Sequence, residues 1–98
     1  MPHYAYRVIP KRADFIRTMS EADRAIIGRH WNYLQGQFAA GKINVVGRCE
    51  NGDYGITILE TGSMEEARQI MQEDPAVAGG LMRAEIHEFR LLLVRPPA

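Results

Sequence analysis

The stretch INVVGRCENGDYGITI, Ile43 to Ile58, decides the fold. Two β-favouring runs flank Asn51-Gly52, a dipeptide suited to the two positive-φ positions of a type I′ hairpin turn. Ile43, Val45, Gly47 and Cys49 alternate with Asn44, Val46 and Arg48, which predicts one strand. Tyr54, Ile56 and Ile58 continue the alternation as the next strand. A hairpin of this kind is antiparallel, so what flanks it sets the topology.

Helical patterns lie on both sides. Upstream, Ser20 offers an N-cap oxygen with Asp23 in the capping-box place. Ile27, His30, Trp31, Leu34 and Phe38 then recur at helical spacing, which predicts a helix over residues 21–39 with Gly41 as its stop. Downstream, Ser63 caps a second helix. Glu65 and Glu66 stand in its positive first turn, and Ala67, Ile70 and Met71 form its apolar stripe. Pro75 forces the preceding residue out of helical geometry, so this helix ends near Glu73. At the outer ends, His3 to Ile9 alternates Tyr4, Tyr6 and Val8 against His3, Ala5 and Arg7 as a strand that Pro10 terminates. Lys11 to Met19 reads as a loop holding one helical turn. Met82 to Val94 reads as a long closing strand, with Pro96-Pro97 ending the fold.

The order β-α-β-β-α-β is that of the α+β, ferredoxin-like split β-α-β fold, and residues 1–98 are expected to form one such domain. Right-handed crossovers put both helices on one face of the sheet. Alternating residues on the other face then have no cover within this chain. The simplest cover is the sheet of a second copy, so a homodimer is expected.

Composition narrows the partners. Twelve basic and twelve acidic residues cancel, leaving no long-range field to attract phosphate or anionic lipid; neither nucleic acid nor membrane is expected as a partner. Cys49 is the only cysteine, so no internal disulfide can form. The longest apolar run, Leu91 to Val94, is far shorter than the roughly 20 residues of a membrane span. The chain opens on strand-like residues rather than on a signal core, and a cytoplasmic location is expected.

Gly28-Arg29-His30-Trp31-Asn32-Tyr33-Leu34, then Gly41, Gly47, Tyr54-Gly55-Ile56, Met64-Glu65-Glu66-Ala67 and Asp74-Pro75-Ala76-Val77-Ala78-Gly79-Gly80-Leu81 together resemble the YciI-like proteins of the YCII-related family. The specific part is a helix-one histidine followed by an aromatic residue, joined to a later glutamate-alanine helix that ends in Asp-Pro. This chain departs from the pattern at Ile27, where relatives often carry arginine, and at Ile56, where many carry a pocket hydroxyl. The resemblance implies a dimeric ferredoxin-like α/β barrel with a His–Asp pair at a pocket, which falls here on His30 and Asp74.

The residues themselves leave alternatives open. His30, three places after Ile27 and four before Leu34, faces inward, where an imidazole needs a partner. A backbone carbonyl would make it structural; a proton-transfer role would use its near-neutral titration. Asp74 before proline is a common turn former that bonds following amides. Beside His30 it would fix one tautomer and stabilise the imidazolium. Arg29, Trp31, Tyr54 and His87 are the candidate substrate contacts, and Cys49 reads as a small core residue. His3, His30 and His87 lack metal-ligand spacing, so no metal is expected, and no phosphate loop or cofactor motif is found. The expected activity is His–Asp proton transfer, of lyase or isomerase type, on a small organic molecule, aromatic ones included. The alternative is a non-catalytic dimeric module that binds or senses a small ligand.

Overall fold

Tyr4, Tyr6 and Val8 alternate along the first strand and all three are buried, while the residues between them face the other way. In the computed structural model, which describes residues 1–96, this strand is β1 (His3–Pro10). It is followed by α1 (Glu21–Ala39), β2 (Ile43–Arg48), β3 (Gly55–Glu60), α2 (Met64–Glu73), the four-residue helix α3 (Pro75–Ala78) and β4 (Met82–Phe89). The β1–α1 connection holds a 3-10 turn at Ile16–Thr18. The strand order is β2-β3-β1-β4 with every neighbour antiparallel, which is the ferredoxin-like arrangement. No helix among the described residues is long and apolar enough to cross a membrane.

Local chemistry explains the helix starts. The Ser20 side chain accepts from the Asp23 amide at 3.1 Å, and the Asp23 carboxylate accepts from the Ser20 amide at 3.0 Å, so the capping box closes. Ser63 accepts from the Glu66 amide in the same way. Both helices bury their stripes on one sheet face, where Leu34 of α1 and Ala67, Ile70 and Met71 of α2 meet Tyr4, Tyr6, Val8, Ile43 and Leu59.

Three details differ from the sequence reading. The hairpin is not a type I′ turn, because Gly52 has φ +80 and Asn51 is not in the positive-φ region. The Gly52 amide donates to the Cys49 carbonyl and the Cys49 amide to that of Tyr54, making a longer loop braced by Asn51 Oδ1 on the Asp53 amide. A bulge between Ile43 and Val45 breaks the alternation of β2. Ile43 therefore pairs with Leu59 in the core, whereas Val45 pairs with Ile58 and Val46 with Thr57. The last strand stops at Phe89 instead of Val94, since β1, its only partner among the described residues, has no residue before His3 in the register. Of the expected terminal pair, Pro97 lies outside the described residues.

The open face carries Ala5, Arg7, Ile58, Glu85, His87 and Phe89, fixed by their pairings with β1 and β3. Ala5 and Ile58 are buried there, and Arg7 bonds Glu85 at 2.9 Å while lying 4.8 Å from the Tyr54 ring centroid.

Candidate active site

Asp74 is the C-cap of α2 and the N-cap of α3. Proline at 75 holds it in extended geometry (φ −60, ψ 123), which ends α2 and turns the carboxylate inward. It is fully buried (0% exposed), and both its oxygens are engaged. Oδ1 accepts the Ala76 amide at 3.0 Å and meets His30 Nδ1 at 2.6 Å; Oδ2 accepts the Tyr6 hydroxyl at 2.9 Å. One carboxylate thus makes both the turn contact to Ala76 and the contact to His30, and the partner of His30 is this carboxylate rather than a backbone carbonyl.

Tyr6 reaches Asp74 from the centre of β1. Burial above all, then the Asp74 charge, push its hydroxyl far above its ordinary value, while a hydrogen bond from Thr57 acts the other way. The phenol therefore stays protonated and donates. Tyr33, one helical turn from His30, donates to the Ile70 carbonyl at 2.7 Å. Burial, with Glu73 and Asp74 nearby, pushes its hydroxyl up to about 12.

His30 lines a cavity of about 480 Å³ between the sheet, α1 and the two loops at the β1–α1 and β2–β3 connections. Its side chain is 15% exposed, and Nδ1 is the nitrogen committed to Asp74. Ile27, Leu34, Val8 and Met82 make apolar walls; Thr57, Arg48 and Trp31 add a hydroxyl, a cation and an indole. The Arg48 guanidinium bonds the Cys49 and Glu50 carbonyls at 3.2 and 3.4 Å, which anchors it beside the hairpin. Such a lining suits a small, largely apolar molecule with a few polar groups.

Four of the six sequence candidates meet or border this space. His30 and Trp31 line it, Tyr54 borders it at the hairpin end with its ring under Arg7 of the open face, and Asp74 stands behind His30. Arg29 and His87 do not. Arg29 is one helical step, about 100°, from His30 and points to solvent. His87 pairs with Ala5, which puts it on the open face, across the sheet from His30. Sequence reading did not link Tyr6 to Asp74 and did not single out Thr57. Tyr6 was legible as a core aromatic on β1 but carried no sign of its carboxylate partner, 68 residues away. Thr57 supplies a hydroxyl to the cavity wall.

Comparison with known proteins follows the same lines. The model of the YCII-related domain family matches residues 4–90. The uncharacterized protein YjpA of Bacillus subtilis (strain 168) is 29% identical over 65 residues, spanning 66% of this chain and 76% of its own. Among solved structures, 5-chloro-2-hydroxyhydroquinone dehydrochlorinase (TftG) from Burkholderia phenoliruptrix AC1100, in complex with 2,5-dihydroxybenzoquinone, superposes with a TM-score of 0.64. That match covers 89% of this chain and 93% of the other at 18% identity, a likeness of fold.

Proposed function

The chain belongs to the YCII-related family, and from that premise we propose that it is a small-molecule enzyme in which His30 moves a proton and Asp74 orients it. The observation that carries this reading is the 2.6 Å contact between His30 Nδ1 and a fully buried carboxylate, made at the wall of a cavity. With Nδ1 held by Asp74, Nε2 is the nitrogen that exchanges a proton with a ligand. In an elimination, Nε2 takes a proton from the substrate. The electron pair left behind forms the new double bond and expels a leaving group from the neighbouring carbon. Asp74 stabilises the imidazolium that results, and Tyr6 and Ala76 keep the carboxylate in place. An isomerisation returns the same proton to a different atom. The dehydrochlorinase that shares this fold acts on a chlorinated hydroxyhydroquinone, which supports a cyclic, hydroxylated substrate for this cavity.

The test is halide release from a panel of halogenated hydroxyhydroquinones, with 2,5-dihydroxybenzoquinone as a binding probe. Release by the parent protein, lost in His30→Gln and lowered by about 10² or more in Asp74→Asn, is the expected result. Probe binding without turnover, unchanged in His30→Gln, would instead establish a non-catalytic binding module.

We also propose that two copies pair through the open sheet face, where Ala5 and Ile58 form an apolar centre and the Arg7–Glu85 pair a polar rim. Light scattering is expected to give twice the 11.1 kDa chain mass, and Phe89→Glu to halve it. A parent particle of one chain's mass excludes the pairing.

A further inference from the structure

Beyond Phe89 the chain leaves the sheet, and Leu91 to Val94 run on without secondary structure. Leu92 is 81% and Leu93 97% exposed, a run of apolar surface with none of the described residues packed upon it. A second unexplained apolar surface lies at the opposite edge of the sheet. There, a groove of about 500 Å³ between α1 and β2 is lined by Trp31, Phe38, Val45 and Val46. These four are 55%, 60%, 54% and 38% exposed. Because β2 ends the strand order, its outer backbone edge is also unpaired. Such an edge pairs readily with an added strand.

We propose that Leu91–Val94 of one copy dock in the Trp31–Phe38 groove of a second copy, as an extended segment along β2. The two surfaces match in kind and in length: β2 has six residues, and so does the tail from Arg90 to Arg95. Arg90 and Arg95 flank the apolar run, and Asn44 of the groove bonds Glu60 at 3.0 Å. Docking within one chain is disfavoured, because β3 and β1 separate β4 from β2. In a face-to-face pair whose two-fold axis runs along the strands, β4 of one copy lies beside β2 of the other, and the tail begins next to the groove. The groove shares Trp31, Leu34 and Val46 with the cavity beside His30, so a docked tail also finishes one wall of that cavity.

Trp31 is the only tryptophan, and its fluorescence reads the groove directly. In the full chain, emission is expected to shift to the blue and resist acrylamide as concentration rises through the association range. Leu92→Asp/Leu93→Asp, which alters only exposed side chains, is expected to lose both effects. The hexapeptide Arg-Leu-Leu-Leu-Val-Arg is expected to restore protection when added to that variant. Trp31 equally accessible in parent and variant would overturn the proposal, as would protection that persists in dilute monomer, the sign of docking within one chain. Sheet-face pairing fails separately: Phe89→Glu tests it on the face opposite Trp31, and a variant that stays dimeric with Trp31 exposed leaves pairing intact while supporting the tail.

Discussion

Asp23 and Asp74 perform the same local task with different consequences. Each accepts a backbone amide at 3.0 Å near a helix start, Asp23 from Ser20 and Asp74 from Ala76. Asp23 keeps contact with solvent and takes its second partner from the Arg12 guanidinium, at 3.0 Å. Asp74 has no solvent contact and takes its partners from a phenol and an imidazole. Arginine does not release its proton in proteins; imidazole does so at neutral pH. Capping therefore says nothing about chemistry. What separates the two carboxylates is burial together with a partner that can exchange a proton.

The largest effect expected from breaking this contrast is at Asp74. Asp74→Ala strips the acceptor from Tyr6 and His30 at once and is expected to cost about 3 kcal/mol in urea unfolding. A loss under about 1 kcal/mol would mean that water replaces the carboxylate and that the site is not closed. Tyr6→Phe removes one donor to the buried charge and is expected to cost about 2 kcal/mol. It also has a pH signature. Since the folded protein holds the Tyr6 proton more tightly than the unfolded chain, this contribution is complete below pH 10 and declines as pH rises above it. The alkaline fall in melting temperature should be shallower in Tyr6→Phe. At the exposed cap, Ser20→Ala is expected to cost about 1 kcal/mol. The smallest effect belongs to Asp23. The Ser20 amide first, then Arg12, hold its carboxyl below the ordinary 3.8. Its contribution is therefore present above that value and lost as pH falls through the lower one. Asp23→Asn should flatten the acid limb of the stability curve slightly; an unchanged limb would mean that neither the Ser20 amide nor Arg12 holds this carboxyl down.

Helix α1 and its capping box were legible because both depend on spacing within one segment, and Ser20 with Asp23 delimits a start that packing does not move. The cap of α2 was legible for the same reason. Features set by what lies opposite were not. The bulge in β2 answers to Leu59 and Ile58 on the neighbouring strand, so the even alternation of Ile43 and Val45 misleads. The closing strand was read too long because Leu91 to Val94 have strand-like side chains but no strand to pair with. The hairpin dipeptide Asn51-Gly52 suggested a two-residue turn, yet Gly52 must leave room for Ile16, whose Cδ1 lies 2.5 Å from where a Cβ would stand. At the site, the meeting of His30 and Asp74 came from family resemblance and not from helix arithmetic. Tyr6, which completes the arrangement, sits at a position whose alternation announces only burial.

The Asp74-Pro75 junction has one more consequence, a chemical one. An aspartyl-prolyl bond is the peptide bond most readily cut by dilute acid, because the aspartic carboxyl attacks its own carbonyl carbon and the proline nitrogen departs easily. In the folded chain that carboxyl is tied to Tyr6, His30 and the Ala76 amide, and cannot swing back onto the backbone. Scission then requires opening of the α2–α3 corner. The appearance of fragments 1–74 and 75–98 in mild acid would accordingly serve as a clock for that opening, written by the chain into its own covalent structure.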